Sequence, residues 1–128
     1  MEQRVDYIAF DGRVFQDPEK ARQYEIYRRL RTRRKILYNM VCVLSVDIKN
    51  SKSSIQKLEK VLYIINNKFR DSNFLNNPEH LQMLARRIED RIQLNMTVAR
   101  HKILKQMLKK VYREMSNVDN MLTKLVVD

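Results

Sequence analysis

The sequence contains few of the residues that make loops. In 128 residues there is one glycine, Gly12, and there are two prolines, Pro18 and Pro78. That leaves little material for loops, and long helices are expected. Tryptophan is absent and Cys42 is the lone cysteine. No disulfide framework can form within one chain, which fits a reducing cytosol, and Cys42 in the run VCVLSV reads as a small buried hydrophobe. No apolar run approaches the roughly 20 residues of a membrane span, and Met1-Glu2 leads into mixed charge instead of a signal sequence. The expectations are a cytoplasmic protein with no membrane partner. Acidic residues are in deficit, with 15 Asp and Glu against 26 Lys and Arg, a formal charge of +11. Such an excess points to an anionic partner, whether nucleotide, nucleic acid or membrane surface.

What is present is organised. At 44% hydrophobic and 32% charged residues, the composition belongs to a folded chain, and its length suits a single domain, residues 1–128. The one glycine lies in YIAFDGRVF, residues 7–15. Asp-Gly between two runs of β-branched and aromatic residues is a hairpin signal, because a type I′ turn needs positive φ at both central residues. A small hairpin is expected over 4–16, with strands at 4–10 and 13–16. Two strands alone are marginal in water, so this hairpin must pack on something or pair with another copy.

Asp17-Pro18-Glu19 has the form of a helix start: an N-cap, a proline at the first helical position and an acid at the positive end of the dipole. From Glu19 to Asn77 there is neither glycine nor proline. Tyr27, Leu30, Arg34, Leu37, Val41, Leu44, Ile48, Ser51, Ile55, Leu58, Leu62, Ile65 and Phe69 recur at spacings of three and four without a slip. That is a heptad seam, apolar at every position except Arg34 and Ser51. VCVLSVDI has strand-like β-branched content and NSKSSIQ holds poor helix formers, yet the phase survives both. The reading is one helix over 18–70, with Ser51 the place for any bend. Residues 71–77 form a connection. Asn77-Pro78-Glu79 repeats the capping pattern, and a second helix is expected over 78–126. Its far end is regular from Leu104 to Leu125, while its near end, Leu81, Leu84, Ile88 and Ile92, moves toward spacings of four. A short link between long helices implies an antiparallel helical hairpin.

The fold class is therefore mainly α, a short hairpin followed by two long antiparallel helices. Met40, Val43, Val46, Tyr63, Ile64, Met96, Ile103, Met107 and Met121 lie outside the seams. An apolar surface of that extent marks association, so a homo-oligomeric helical bundle is expected, with a hetero-partner helix as the alternative.

Enzymatic constellations are absent from the sequence. His80 and His101 have no cysteine or carboxylate at ligand spacing, and no zinc-protease, phosphate-loop, dinucleotide or nucleophile-elbow pattern occurs. No catalytic residue, metal site or cofactor is expected. The sharpest chemical feature is YRRLRTRRK, residues 27–35, with five arginines and a lysine. It is either a solvated face or an anion site, for which the planar guanidinium fork suits phosphate. Arg34 occupies the seam, where a charge needs a partner; Glu114 and Asp119 are the internal candidates. Arg28, Arg31 and Lys35 lie beside it. If Phe69 lies opposite Leu81, cross-helix partners have residue numbers totalling about 150, which brings Arg34 toward Met115, near Arg113, Lys110 and Lys109. In the connection, Phe74 can stack on a base while Asn76 and its neighbours read polar edges, or the ring can simply cover the helix ends. The candidate ligand-binding residues are Arg28, Arg31, Arg34, Phe74, Asn76 and Arg113.

Tyr7-x-Ala9-x-Asp11-Gly12-x-x-Phe15, followed by Asp17 and Tyr24-Glu25, resembles an N-terminal pattern of small phage-encoded proteins. In those, two short strands precede a helix and a cysteine often stands where Ala21 is here. The layout of a hairpin and two long helices is similar to the Thoeris anti-defence sponge family. That resemblance implies a homo-oligomer in the host cytosol that binds a cyclic nucleotide signal, a cyclic ADP-ribose isomer or a cyclic oligonucleotide, without cleaving it. It carries over no ligand-binding residue. The alternatives are a nucleic-acid-binding protein using the same arginines, and a helical inhibitor of a host complex.

Overall fold

The computed structural model describes residues 6–70 and 78–125. The elements are β1 (Tyr7–Ile8), β2 (Val14–Phe15), α1 (Pro18–Arg70) and α2 (His80–Lys124). They distribute over two compact units, Met1–Cys42 with Lys109–Asp128, and Val43–Leu108.

In the first unit β1 and β2 pair antiparallel, Tyr7 opposite Phe15 and Ile8 opposite Val14. The strands are shorter than the expected 4–10 and 13–16, and Arg4 lies outside the described residues. The turn differs from the expected type I′. The Gly12 N–H donates to the Ala9 carbonyl at 2.9 Å and the Ala9 N–H to the Arg13 carbonyl at 2.8 Å. Phe10 and Asp11 are thus the central pair, and Gly12 follows them at φ 87°, the one positive φ among the described residues. A turn followed by a glycine bulge asks for positive φ only at the glycine, whereas type I′ would have demanded it of Asp11 as well.

The bulge leaves Asp11 aimed at α1. One carboxylate oxygen accepts the Arg13 N–H at 3.1 Å and the other accepts the Tyr24 hydroxyl at 2.5 Å. Tyr24 is buried, as are Ala9 and Ala21. The Phe15 ring lies 5.1 Å from the Tyr24 ring and the Arg13 guanidinium sits 4.9 Å from its centroid. Asp17 caps α1: its side chain accepts the Glu19 N–H at 3.0 Å and its carbonyl the Ala21 N–H at 3.1 Å. The single glycine therefore folds the hairpin back on the first turns of α1.

The Tyr24 hydrogen bond holds the Asp11 carboxyl below its ordinary range against a smaller opposing desolvation, with the Arg13 N–H and the Arg28 charge adding to the lowering. The same bond raises the Tyr24 phenol. A depressed acid contributes stability that is present above its unfolded pKa, near 3.9, and is lost as pH falls through the folded value. A raised phenol contributes stability lost as pH rises through its folded value. Melting of the protein and of Asp11→Asn should differ at pH 7, with the variant less stable, and converge in acid. A difference independent of pH would show that this bond is not what holds the hairpin down.

The seam of α1 is observed as read. From Tyr27 to Phe69 each named position is buried or half-buried except Arg34. The helix runs unbroken through VCVLSVDI and NSKSS. In the first unit Leu37, Val111 and Val118 are buried; in the second, Leu44, Ser51, Leu62, Ile65 and Leu104 are. In the second unit the helix segments run antiparallel, since Ser51 meets His101 while Phe69 meets His80. The seam accepts Ser51 because its hydroxyl lies 2.5 Å from His101 Nδ1 and 2.9 Å from the Ile48 carbonyl, so no polar atom of that side chain is stranded.

α2 begins at His80 and not at 78. The Met83 N–H donates to the Glu79 carbonyl at 3.0 Å, which makes Glu79 the cap and leaves Pro78 ahead of it. The helix ends at Lys124 instead of 126; Val126 is outside the described residues. The seam of α2 corrects the expected near end. His80, Met83, Arg87, Asp90, Leu94, Thr97, His101, Leu104, Leu108, Val111, Met115, Val118, Leu122 and Leu125 are all buried or half-buried, at alternating spacings of three and four. Of the expected near end Leu84 is half-buried, whereas Leu81, Ile88 and Ile92 are exposed, Leu81 by 73%. The reason is geometric: at about 100° per residue, each spacing of four advances some 40° around the helix, so a run of fours leaves the seam. The heptad phase of the far end continues backward through polar side chains instead.

Cys42 is exposed, not buried as expected; it follows the seam residue Val41 by one position, a turn of about 100° away from the core. The nine apolar residues placed outside the seams are all exposed.

Candidate anion-binding groove

Because α1 carries its core on one stripe, the basic segment 27–35 is free to present most of its charge. Within the first unit, Tyr27, Arg28, Arg31, Thr32, Arg34, Lys35 and Tyr38 of α1 and Leu122 of α2 line one open groove of about 700 Å³. Tyr27, Arg31 and Tyr38 recur at helical spacing, so a tyrosine stands at each end of a row of cations.

The cations differ in their partners. Arg34 donates through Nε to Asp119 at 2.6 Å, and Arg33, beside the groove, donates to Glu114 at 2.8 Å. Arg28 lies 3.8 Å from the Asp11 carboxylate. Arg31 donates to the Tyr27 hydroxyl at 3.2 Å with its guanidinium 5.6 Å from that ring. Arg31 and Lys35 have no ion-pair partner among the described residues. Arg31 is therefore held in place by a neutral group, and the two cations face the groove with their charge uncompensated. An anion entering there gains charge-assisted hydrogen bonds from donors already positioned.

Of the candidate residues, Arg28, Arg31 and Arg34 come together in this groove. Arg34 meets Asp119, one of the two acids foreseen for it. Arg113 is exposed on α2 and does not line the groove; it falls two residues from the seam positions Val111 and Met115, so it points away from α1. Phe74 and Asn76 lie outside the described residues. Tyr38 was not foreseen as a site residue, although its spacing from Tyr27 and Arg31 could have shown it. A polar groove in the second unit, with Asp47, Lys57 and Arg100 among its lining residues, is closer to balanced in charge.

Among the described residues no group of three or more His, Cys, Asp or Glu side chains is placed to hold a metal ion, and no described helix is long and apolar enough to cross a membrane. Comparison with protein-family models, curated proteins and solved structures returned no match.

Proposed function

We propose that the protein is a non-catalytic binder of an anionic nucleotide, held in the groove between Tyr27 and Tyr38. The observation that carries the reading is the pairing of two uncompensated cations, Arg31 and Lys35, with an aromatic ring at each end of the same groove. Phosphates fit the cations, and the rings offer stacking faces to bases, worth about 1–3 kcal/mol each. Arg28 to Lys35 spans about 10 Å along the helix at 1.5 Å per residue, room for more than one phosphate. The resemblances of the N-terminal motif to small phage-encoded proteins, and of the layout of a hairpin and two long helices to the Thoeris anti-defence sponge family, supply the biological half of the proposal: the ligand is a cyclic nucleotide signal, and a phage-encoded homo-oligomer in the host cytosol removes it from circulation. A nucleic-acid ligand is the rival that the net charge of +11 keeps open.

Heating the purified protein and analysing the released small molecules by mass spectrometry separates the two. A nucleotide in near-stoichiometric amount supports sequestration. Co-purifying nucleic acid with no small nucleotide, lost steeply as salt rises, would replace it with the rival.

A further inference from the structure

α2 carries two apolar faces. One is the seam. The other consists of Leu81, Ile88, Ile92, Met96, Ile103 and Met107, each 44–73% exposed and all within the second unit. At about 100° per residue they share a sector roughly opposite the seam. In the same stretch the seam itself admits His80, Arg87, Asp90, Thr97 and His101, so this half of α2 places much of its aliphatic surface away from α1.

We infer that this outer face pairs with the same face of a second copy, antiparallel about a two-fold axis near Leu94. The inference deepens the proposed homo-oligomer by naming its surface. Size is the first argument: the six side chains expose on the order of 600–700 Å² per copy, close to the roughly 800 Å² per partner of a standard interface. Self-complementarity is the second. In that register Leu81 meets Met107 of the second copy, Ile92 meets Met96, and the large Ile103 falls against the small Ala85, while Ile88 lies one position from the level of the small Ala99. Large residues meet small ones or flexible methionines, and a two-fold axis makes each contact twice.

Charge is the third argument. Of the acids on α2, Asp90 pairs with Arg86, Glu114 with Arg33 and Asp119 with Arg34. Glu89 is exposed and has no ion-pair partner among the described residues, and neither has Arg100. The two are eleven residues apart, about three turns, so they flank the stripe on the same side. Antiparallel pairing sets Glu89 of each copy beside Arg100 of the other.

The test uses the full chain with Cys42→Ser. Reduced Leu81→Cys and Met107→Cys proteins are air-oxidised, each alone and as an equimolar mixture. The mixture should give the crossed disulfide dimer at several times the rate of either protein alone. Glu89→Arg should weaken dimerisation at least tenfold in sedimentation, and the swap Glu89→Arg with Arg100→Glu should restore most of it. A chain that sediments at 15.5 kDa at micromolar concentration would overturn the pairing and the oligomer reading together. A dimer in which Leu81→Cys cross-links with itself but not with Met107→Cys would overturn the pairing alone.

Discussion

Leu37→Ala is expected to lower the unfolding free energy by about 2–5 kcal/mol, the range for emptying a buried leucine site. Leu37 is 1% exposed, the most completely buried of the described side chains of the first unit. It sits where the α1 stripe is thinnest, three residues after the charged seam position Arg34 and four before the half-buried Val41. Truncation removes the transfer energy of the side chain and leaves a cavity that two stiff helices cannot collapse around. Against a total stability of about 5–15 kcal/mol for a typical domain, the loss is large. Val46→Ala, at a position 58% exposed, should change stability by no more than about 0.5 kcal/mol. Urea titrations of both, at one protein concentration because association shifts apparent stability, give the comparison. Similar losses for the two would mean that the seam is not the core.

Charge reversal of the groove, Arg31→Glu with Lys35→Glu, is expected to reduce nucleotide affinity by at least 100-fold while leaving the ligand-free fold intact. Neither cation has an acid to lose among the described residues, and both replacements are good helix formers. Two attractive charges become repulsive at the phosphate positions, and an anion would have to enter against them. Arg34→Leu makes the contrast. Its pairing with Asp119 is about half exposed on both sides, so breaking it costs at most about 1 kcal/mol. It removes one cation from the groove wall and should weaken the nucleotide less than the double reversal. If the double reversal instead unfolds the protein, as read by circular dichroism, these residues belong to the fold and not to a site.

Much of the architecture was legible because a seam is a periodic signal. Thirteen positions of α1 in one phase outweighed the β-branched run at 41–48 and the poor helix formers at 50–54, and the observed helix is Pro18–Arg70. The same periodicity brings Arg34 toward Met115 and leaves Glu114 and Asp119 as its candidate partners; Arg34 meets Asp119, and Glu114 goes to Arg33. Where hydrophobicity and phase disagree, reading hydrophobicity misleads. Leu81, Ile88 and Ile92 look like core, but the heptad phase of α2 passes through Arg87 and Asp90. The hairpin turn differs for another reason: Asp-Gly fits a type I′ turn and a glycine bulge alike, and the partner that Asp11 meets in the bulge, Tyr24, lies thirteen residues away in sequence.

The N-terminal motif is explained almost wholly by the fold. Ala9 is buried, Asp11 accepts Tyr24, Gly12 takes the positive φ, Phe15 packs on Tyr24 and Asp17 caps α1. The pattern is accounted for by local packing at the start of α1, and the candidate site is the basic groove. Tyr38 escapes a charge count: the arginines stand out as a run, while the ring at the end of the groove lies outside that run.

Equilibrium dialysis tests the central claim most directly. The wild-type protein and the Arg31→Glu, Lys35→Glu protein are each dialysed against labelled cyclic ADP-ribose and a cyclic dinucleotide at two salt concentrations. Saturable binding of one of these ligands, recovered unchanged, by the wild type and its loss in the double variant is the expected result. Equal retention by both proteins, or none by the wild type, would contradict a nucleotide site in the groove.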